Sequence, residues 1–448
     1  MGQIEILFSG IVLNKLMEDN LTNLKYFLSM NWIFILLLSA FGPYLFISMG
    51  IRLDHIVIYS LMTFLIVTNS VVIKIHPLYI FTILVLFIIC LAPFVGLFLG
   101  DFQISNSLVL SQIENYLQPL AVTIICFSIF NNFNLEQIES GFIYFLKLFV
   151  ILMSLHSLLS VVMNFFPDLL FWRQFTGARL IAITDDTARI GLTAAELARV
   201  GGRISGIFTQ VFEAGFAYSI AIISWSFLYS RFKNFLIFQN VILLMILLGG
   251  ILVNSKIFIV FGLPLAIYLF NQKKKLILYS SLLTFIALIT LKLVSIDFSF
   301  FAKTLNYVRR LSNVNLDNFL QVFTGGRFAP DSSIIIGMID IYYTSPLIGM
   351  GYGSIETSDF SLYEVLSLGG LLGMLFYLLL FAIFIVMIYA IKNTLYRKYY
   401  IALIILTVFS SLAAPTITAN RISLIFWLLW CFFAAMIVNK SRFKLAKE

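Results

Sequence analysis

The sequence predicts an all-α polytopic membrane protein of about 12 transmembrane helices with two large loops on its outer face. Three observations carry this. Hydrophobic residues make up 61% of the 448 and charged residues only 11%, whereas a soluble domain needs roughly a quarter charged. The apolar residues, 47 phenylalanines among them, run in unbroken blocks long enough to cross a bilayer. The cations are sorted: of 16 lysines and 13 arginines, 13 lysines lie towards one face and 10 arginines towards the other.

Blocks of about 17 to 25 apolar residues are the unit of a span. They predict spans at 31–50, 54–73, 77–99, 117–132, 141–166, 207–230, 235–253, 256–270, 276–294, 361–391, 399–416 and 421–439. Residues 3–29 mix Glu5, Lys15, Glu18, Asp19 and Lys25 with apolar residues, which predicts an amphipathic stretch at the membrane surface and no cleaved leader. Sidedness follows the cations in short connections. Lys273, Lys274 and Lys275, Arg231 with Lys233, Lys392 with Arg397 and Lys398, and the tail from Lys440 to Lys447 share one face. That face is the expected cytoplasmic side, with both termini on it. Residues 1–448 then form a single integral membrane domain whose outer loops are 167–205 and 295–360.

The net charge of +8 suits topology and anionic headgroups rather than nucleic acid. Cys90, Cys126 and Cys431 all lie in apolar blocks and read as small buried hydrophobes. With three histidines and no paired cysteines, neither a metal site nor a cofactor is expected.

The loop 167–205 holds Arg173, Arg179, Arg189, Arg199 and Arg203 and no lysine, against the insertion rule for a short translocated loop. Arginine presents a planar fork of donors that meets phosphate oxygens two at a time. The alternative is ion pairing with Asp185, Asp186, Glu196, Asp317 and Asp331. Arg203 and Arg327 stand out because each follows glycine, at a span edge and at a loop turn. Thr193-Ala-Ala-Glu196 has capping-box spacing, predicting a short helix from Thr193 to Val200 that stops at Gly201-Gly202. Pro346-Leu-Ile-Gly349-Met-Gly351-Tyr-Gly353 predicts a tight turn back to the membrane, and Gly369, Gly370 and Gly373 predict close helix packing. Glu213 lies inside the 207–230 block, where a carboxylate defaults to a functional reading; His156 reads as a satisfied packing residue.

In that order, Arg203-Ile-Ser-Gly206-Ile-Phe208, Asn254-Ser255-Lys256, Gly326-Arg327 with the Pro346 to Gly353 turn, and Asp359 to Gly373 resemble the bacterial O-antigen polymerase and O-antigen ligase superfamily. The resemblance covers about residues 200 to 440; Lys256 stands where the family has arginine. It implies a metal-independent glycosyltransferase of the inner membrane with a periplasmic active site. The implied substrates are undecaprenyl-pyrophosphate-linked glycans, within lipopolysaccharide biosynthesis, with membrane lipids and a chain-length regulator protein as partners and no nucleic acid. Asp359 replaces the histidine of ligases, and neither outer loop has a histidine, which favours a polymerase over a ligase. On this reading Arg203 and Arg327 stabilise the leaving pyrophosphate, and Arg189, Arg199, Arg309, Arg310 and Lys256 position it. Asp359 is the first choice for general base, with Glu356 and Glu213 behind it. A lipid-linked oligosaccharide flippase is the rival from another class.

Overall fold

A computed structural model describes residues 30–46, 50–99, 106–166, 171–177, 194–200, 203–232, 234–270, 331–354, 360–412, 414–418 and 420–445. The chain is a helical membrane protein. Among the described residues, six helices are long and apolar enough to cross a bilayer. The expected span 276–294 lies outside the described residues.

Helix α1 (Met30–Ser39) is shorter than the expected 31–50 span. Gly42-Pro43 ends it, because proline removes a donor and restrains the residue before it. The chain then makes a small hairpin, β1 (Tyr44–Phe46) antiparallel to β2 (Ile51–Arg52), a departure from the all-α expectation. Helix α2 (Leu53–Val67) stops before the expected residue 73. Asn69 turns left-handed at φ 50°, and the β-branched run Val71-Val72-Ile73 resists a helical restart.

Helix α3 (Pro77–Leu99) matches its predicted block. Helix α4 (Asn106–Phe130) begins well before the predicted 117. Its early turns contain Gln112, Glu114 and Gln118, whose polarity hides a span from a hydropathy reading. Gln112 and Gln118 are fully buried, so this polarity faces the bundle and not water. Helix α5 (Leu135–Phe165) starts at an Asn134–Gln137 capping box, with Gln137 N donating to Asn134 Oδ1 at 2.8 Å.

Short helices α6 (Phe171–Thr176) and α7 (Ala194–Val200) follow; α7 falls where the capping-box reading put it, although Thr193 lies outside the described residues. Helix α8 (Val211–Arg231) begins four residues later than predicted, because residues 203–210 are extended and turning. After α9 (Gln239–Val253), Asn254 turns left-handed. A π-helical turn (Ile257–Gly262) then runs into α10 (Leu263–Leu269). Helix α11 (Ser333–Thr344) precedes the glycine turn. Helices α12 (Ser361–Ala390), α13 (Thr394–Ser411) and α14 (Asn420–Leu445) complete the described chain.

Helices α8 and α14 are the centre of the bundle, each 94% buried along its apolar window, whereas that of α12 is 33% buried and presents Leu375, Leu378 and Ile385 outward. Helix α3 lies along α12, and α14 packs on α4 and α5. In lipid, packing and small residues drive helix association. Helix α8 accordingly supplies Ala214, Gly215, Ala217, Ser219 and Ala221 to its buried contacts.

The glycine turn 346–353 is clasped into α12. Met350 N and Gly351 N donate to Ser367 O and Leu368 O at 2.6 and 3.0 Å; Leu371 N and Leu372 N donate to Pro346 O and Leu347 O at 2.8 and 3.2 Å. This exchange replaces the helix's own ladder, and Gly370 takes φ 61°, ψ −159°, a conformation essentially limited to glycine. The packing reading holds for Gly369 and Gly373, which lie against Ala92. For Gly370 it is corrected: this residue breaks the helix.

Candidate functional site

Where β2 meets α2, four consecutive residues carry three ionisable side chains, Arg52, Asp54 and His55. Arg52 grips Asp54 bidentately, Nε to Oδ1 at 2.8 Å and Nη2 to Oδ2 at 2.9 Å, with both groups buried. Burial opposes the Arg52 charge, but the adjacent Asp54 carboxylate more than offsets it, holding the guanidinium above its ordinary pKa. Arg52 Nη2 also meets His55 Nε2, and His55 Nδ1 meets Glu114 of α4. An arginine only donates, so Nε2 accepts from it, while Nδ1 faces both the Glu114 carboxylate and the Arg52 backbone N–H, 3.5 Å away. Gln118 Nε2 reaches Asp54 Oδ2 at 3.4 Å. Glu114 is the outermost member, its side chain 20% exposed.

Tyr44 joins this cluster to a second arginine. The Arg52 and Arg421 guanidinium carbons lie 5.9 and 5.7 Å from its ring centroid, within cation–π range. Its hydroxyl is 3.2 Å from Thr209 Oγ1. Arg421, in the first turn of α14 and fully buried, holds three separate segments by their carbonyls: Ile207 through Nη1, and Gly42 and Phe175 through Nη2 at 2.7 and 2.9 Å.

The segment 203–210 is therefore fixed. Arg203 N donates to Ala198 O at 2.9 Å, closing the end of α7, and Ile204 N donates to Leu252 O of α9 at 3.0 Å. Ile207 N donates to His156 Nε2 at 3.2 Å while its carbonyl is held by Arg421. Gly206 has φ +61°, and a Cβ there would lie 2.4 Å from both His156 Nε2 and Ser160 Oγ, so only glycine fits. His156 is buried, with Nδ1 2.8 Å from Tyr218 Oη. Both its ring nitrogens are occupied, as a packing residue requires.

Among the expected site residues, Arg203 and Arg199 stand near the end of α7. Arg203 is exposed, and among the described residues its guanidinium has no hydrogen-bond or ion-pair partner. Arg173 instead pairs with Glu196, Nε to Oε1 at 3.0 Å, the structural alternative for that arginine. Glu213 is buried in the first turn of α8, where Oε2 accepts from Thr209 N at 3.1 Å and Gln210 N at 3.3 Å. One oxygen thus caps its own helix, while Oε1 has no partner among the described residues. Lys256 is half-buried just past the Asn254 hinge. Arg189, Arg309, Arg310, Arg327, Glu356 and Asp359 lie outside the described residues.

Sequence reasoning missed Arg52, Asp54, His55, Glu114 and Arg421. A signal existed. Each charge lies in or beside an apolar block, where ionisable groups are expensive and face the bundle interior. Among the described residues, no group of three His, Cys, Asp or Glu side chains could hold a metal ion. No family model, curated protein or solved structure matches the chain.

Proposed function

We propose that the chain is a polymerase of undecaprenyl-pyrophosphate-linked oligosaccharide repeat units, building O-antigen or a related surface polysaccharide. It works at the outer face of the bacterial inner membrane, with some twelve spans and both termini inside. The observation that carries this reading is Arg203: an exposed guanidinium, without a partner among the described residues, on a backbone pinned from Arg203 to Ile207. A fixed donor aimed at an anion contributes most where charge develops in the transition state.

An acceptor sugar hydroxyl attacks the anomeric carbon of the growing chain. The new C–O bond forms as the bond to pyrophosphate breaks, and the lipid pyrophosphate leaves with the electron pair. Arg203, joined by Arg327, takes up that developing charge; Arg189, Arg199, Arg309, Arg310 and Lys256 orient the diphosphate. The hydroxyl proton goes to a carboxylate, Asp359 first, with Glu356 and Glu213 as the alternatives. Glu213 Oε1, which has no partner among the described residues, offers an acceptor for it.

The test is the surface polysaccharide of a deletion strain on a gel, complemented with variants. Single capped repeats without a ladder identify a polymerase; no repeat on the core identifies a ligase. Arg203→Ala and Arg327→Ala should each reduce long chains at least about 100-fold at unchanged protein abundance. A normal ladder from both would rule out the leaving-group role. The buried charges and the helix broken at Gly370 favour one second reading, a flippase for the same lipid-linked glycan, since transporters place such features inside the membrane. Its deletion would leave repeats confined to the inner leaflet.

A further inference from the structure

At the opposite end of α8 from Arg203, an open cleft of about 410 Å3 lies between the first turns of α5 and the last turn of α8. Glu136, Glu139, Ile143 and Lys147 line it at three- and four-residue steps, so they form one stripe down α5. Arg231 and Phe232 face them from α8. The 31 residues of α5 measure about 46 Å, against a hydrocarbon core of about 30 Å. Shared between the ends, the excess leaves about 8 Å of α5, and with it Glu136 and Glu139, at headgroup level. Lys147 is two turns deeper. Its ammonium lies 5.6 Å from the Phe232 ring centroid, and its aliphatic stem allows that charge to rise towards the interface.

The cleft carries two carboxylates and two cations, a balance that suits neither a simple anion nor a simple cation. Arg231 is fixed by the Tyr396 hydroxyl and ring, 5.1 Å from its centroid. It approaches Glu139 at only 3.6 Å, longer than a hydrogen bond, so both retain capacity for another partner. Glu136 is exposed and Tyr144, beside the stripe, is 56% exposed.

We infer that this cleft binds a zwitterionic phospholipid with a primary ammonium, namely phosphatidylethanolamine. The phosphate lies on Lys147 and Arg231, the ammonium on Glu139 and Glu136, and the acyl chains descend past Ile143 and Tyr144. A trimethylammonium headgroup cannot donate a hydrogen bond to the carboxylates. A phosphoglycerol headgroup offers the two glutamates no cation.

The test is native mass spectrometry of the full chain, delipidated in detergent and titrated with phosphatidylethanolamine, phosphatidylcholine or phosphatidylglycerol micelles. One phosphatidylethanolamine should be retained, with at least about tenfold preference over the other two. Glu136→Gln with Glu139→Gln should abolish the preference over phosphatidylcholine, and Lys147→Met should weaken retention of every lipid. Size-exclusion profiles identical to the parent exclude misfolding. Should the double glutamine variant misfold, Glu136→Gln alone, at an exposed position, should narrow the preference over phosphatidylcholine, and an unchanged preference would overturn the assignment. Equal retention of phosphatidylglycerol, or unchanged selectivity in the glutamine variant, would overturn the assignment. Free phosphoethanolamine should leave the bound lipid in place; its displacing the lipid would mean a site for a soluble ligand.

Discussion

Arg203 and Arg421 show how position decides what one side chain meets, the first being exposed and the second buried. Arg421 is buried and spends its donors on carbonyls that would otherwise be stranded. Leaving a buried carbonyl unsatisfied costs about 1–3 kcal/mol, so Arg421→Ala should lose at least about 3 kcal/mol and lower the melting temperature of a fluorescent fusion on size exclusion. Arg421→Lys should not rescue it, because one ammonium cannot span three segments. Arg203→Ala should leave that melting temperature unchanged. A pH effect belongs to His76, whose Nδ1 accepts from Leu78 N at 3.2 Å at the start of α3. Burial lowers its pKa below the ordinary 6.5, so the neutral form is the folded one. Its contribution is complete above pH 6.5 and is lost as the pH falls through the lowered value. Melting of His76→Gln and the parent should therefore diverge more at pH 7.5 than at pH 5.

At the scale of elements, the glycine clasp makes the sharpest prediction. Gly370→Ala would place a Cβ 2.4 Å from the Leu347 carbonyl, and Gly351→Ala one 2.2 Å from Leu97 N. Both neighbours are backbone and cannot yield, so each variant should cost more than about 3 kcal/mol and lose folded yield. Gly373→Ala meets nothing nearer than 3.3 Å and should be tolerated. Which glycine breaks the helix was not legible, because Gly369, Gly370 and Gly373 look alike until the turn docks on them. Helix α3 was legible nearly to the residue, since its block is apolar on every side. The start of α4 was not: Gln112 and Gln118 look like loop residues until burial shows that they face inward. Helix α7 was read from local capping spacing alone, which needs no tertiary partner.

For the whole molecule, hydropathy gave the class and most blocks, while hinges and breaks depended on contacts between distant segments. The expected sidedness predicts a fluorescent protein, and no active alkaline phosphatase, when each is fused after residue 448. The candidate site was half legible. Arg203 and Glu213 could be singled out as candidates because glycine or apolar neighbours mark them. The Arg52–Asp54–His55–Glu114 cluster was missed because its members become neighbours only when α2 meets α4.

Arg421 reaches back 379 residues to the Gly42 carbonyl and 214 to that of Ile207. The helix that carries it is 94% buried along its apolar window, as α8 is, so half of the centre of this bundle is supplied by the segment translated furthest along the described chain. During synthesis α8 precedes α14, so the Arg421 contacts to the Gly42, Phe175 and Ile207 carbonyls can form only once α14 has been made. Ribosomes stalled before residue 420 should show the missing Arg421 contacts as protease sensitivity near residues 40–46 and 203–210. The same segments should become resistant once residue 445 has cleared the translocon.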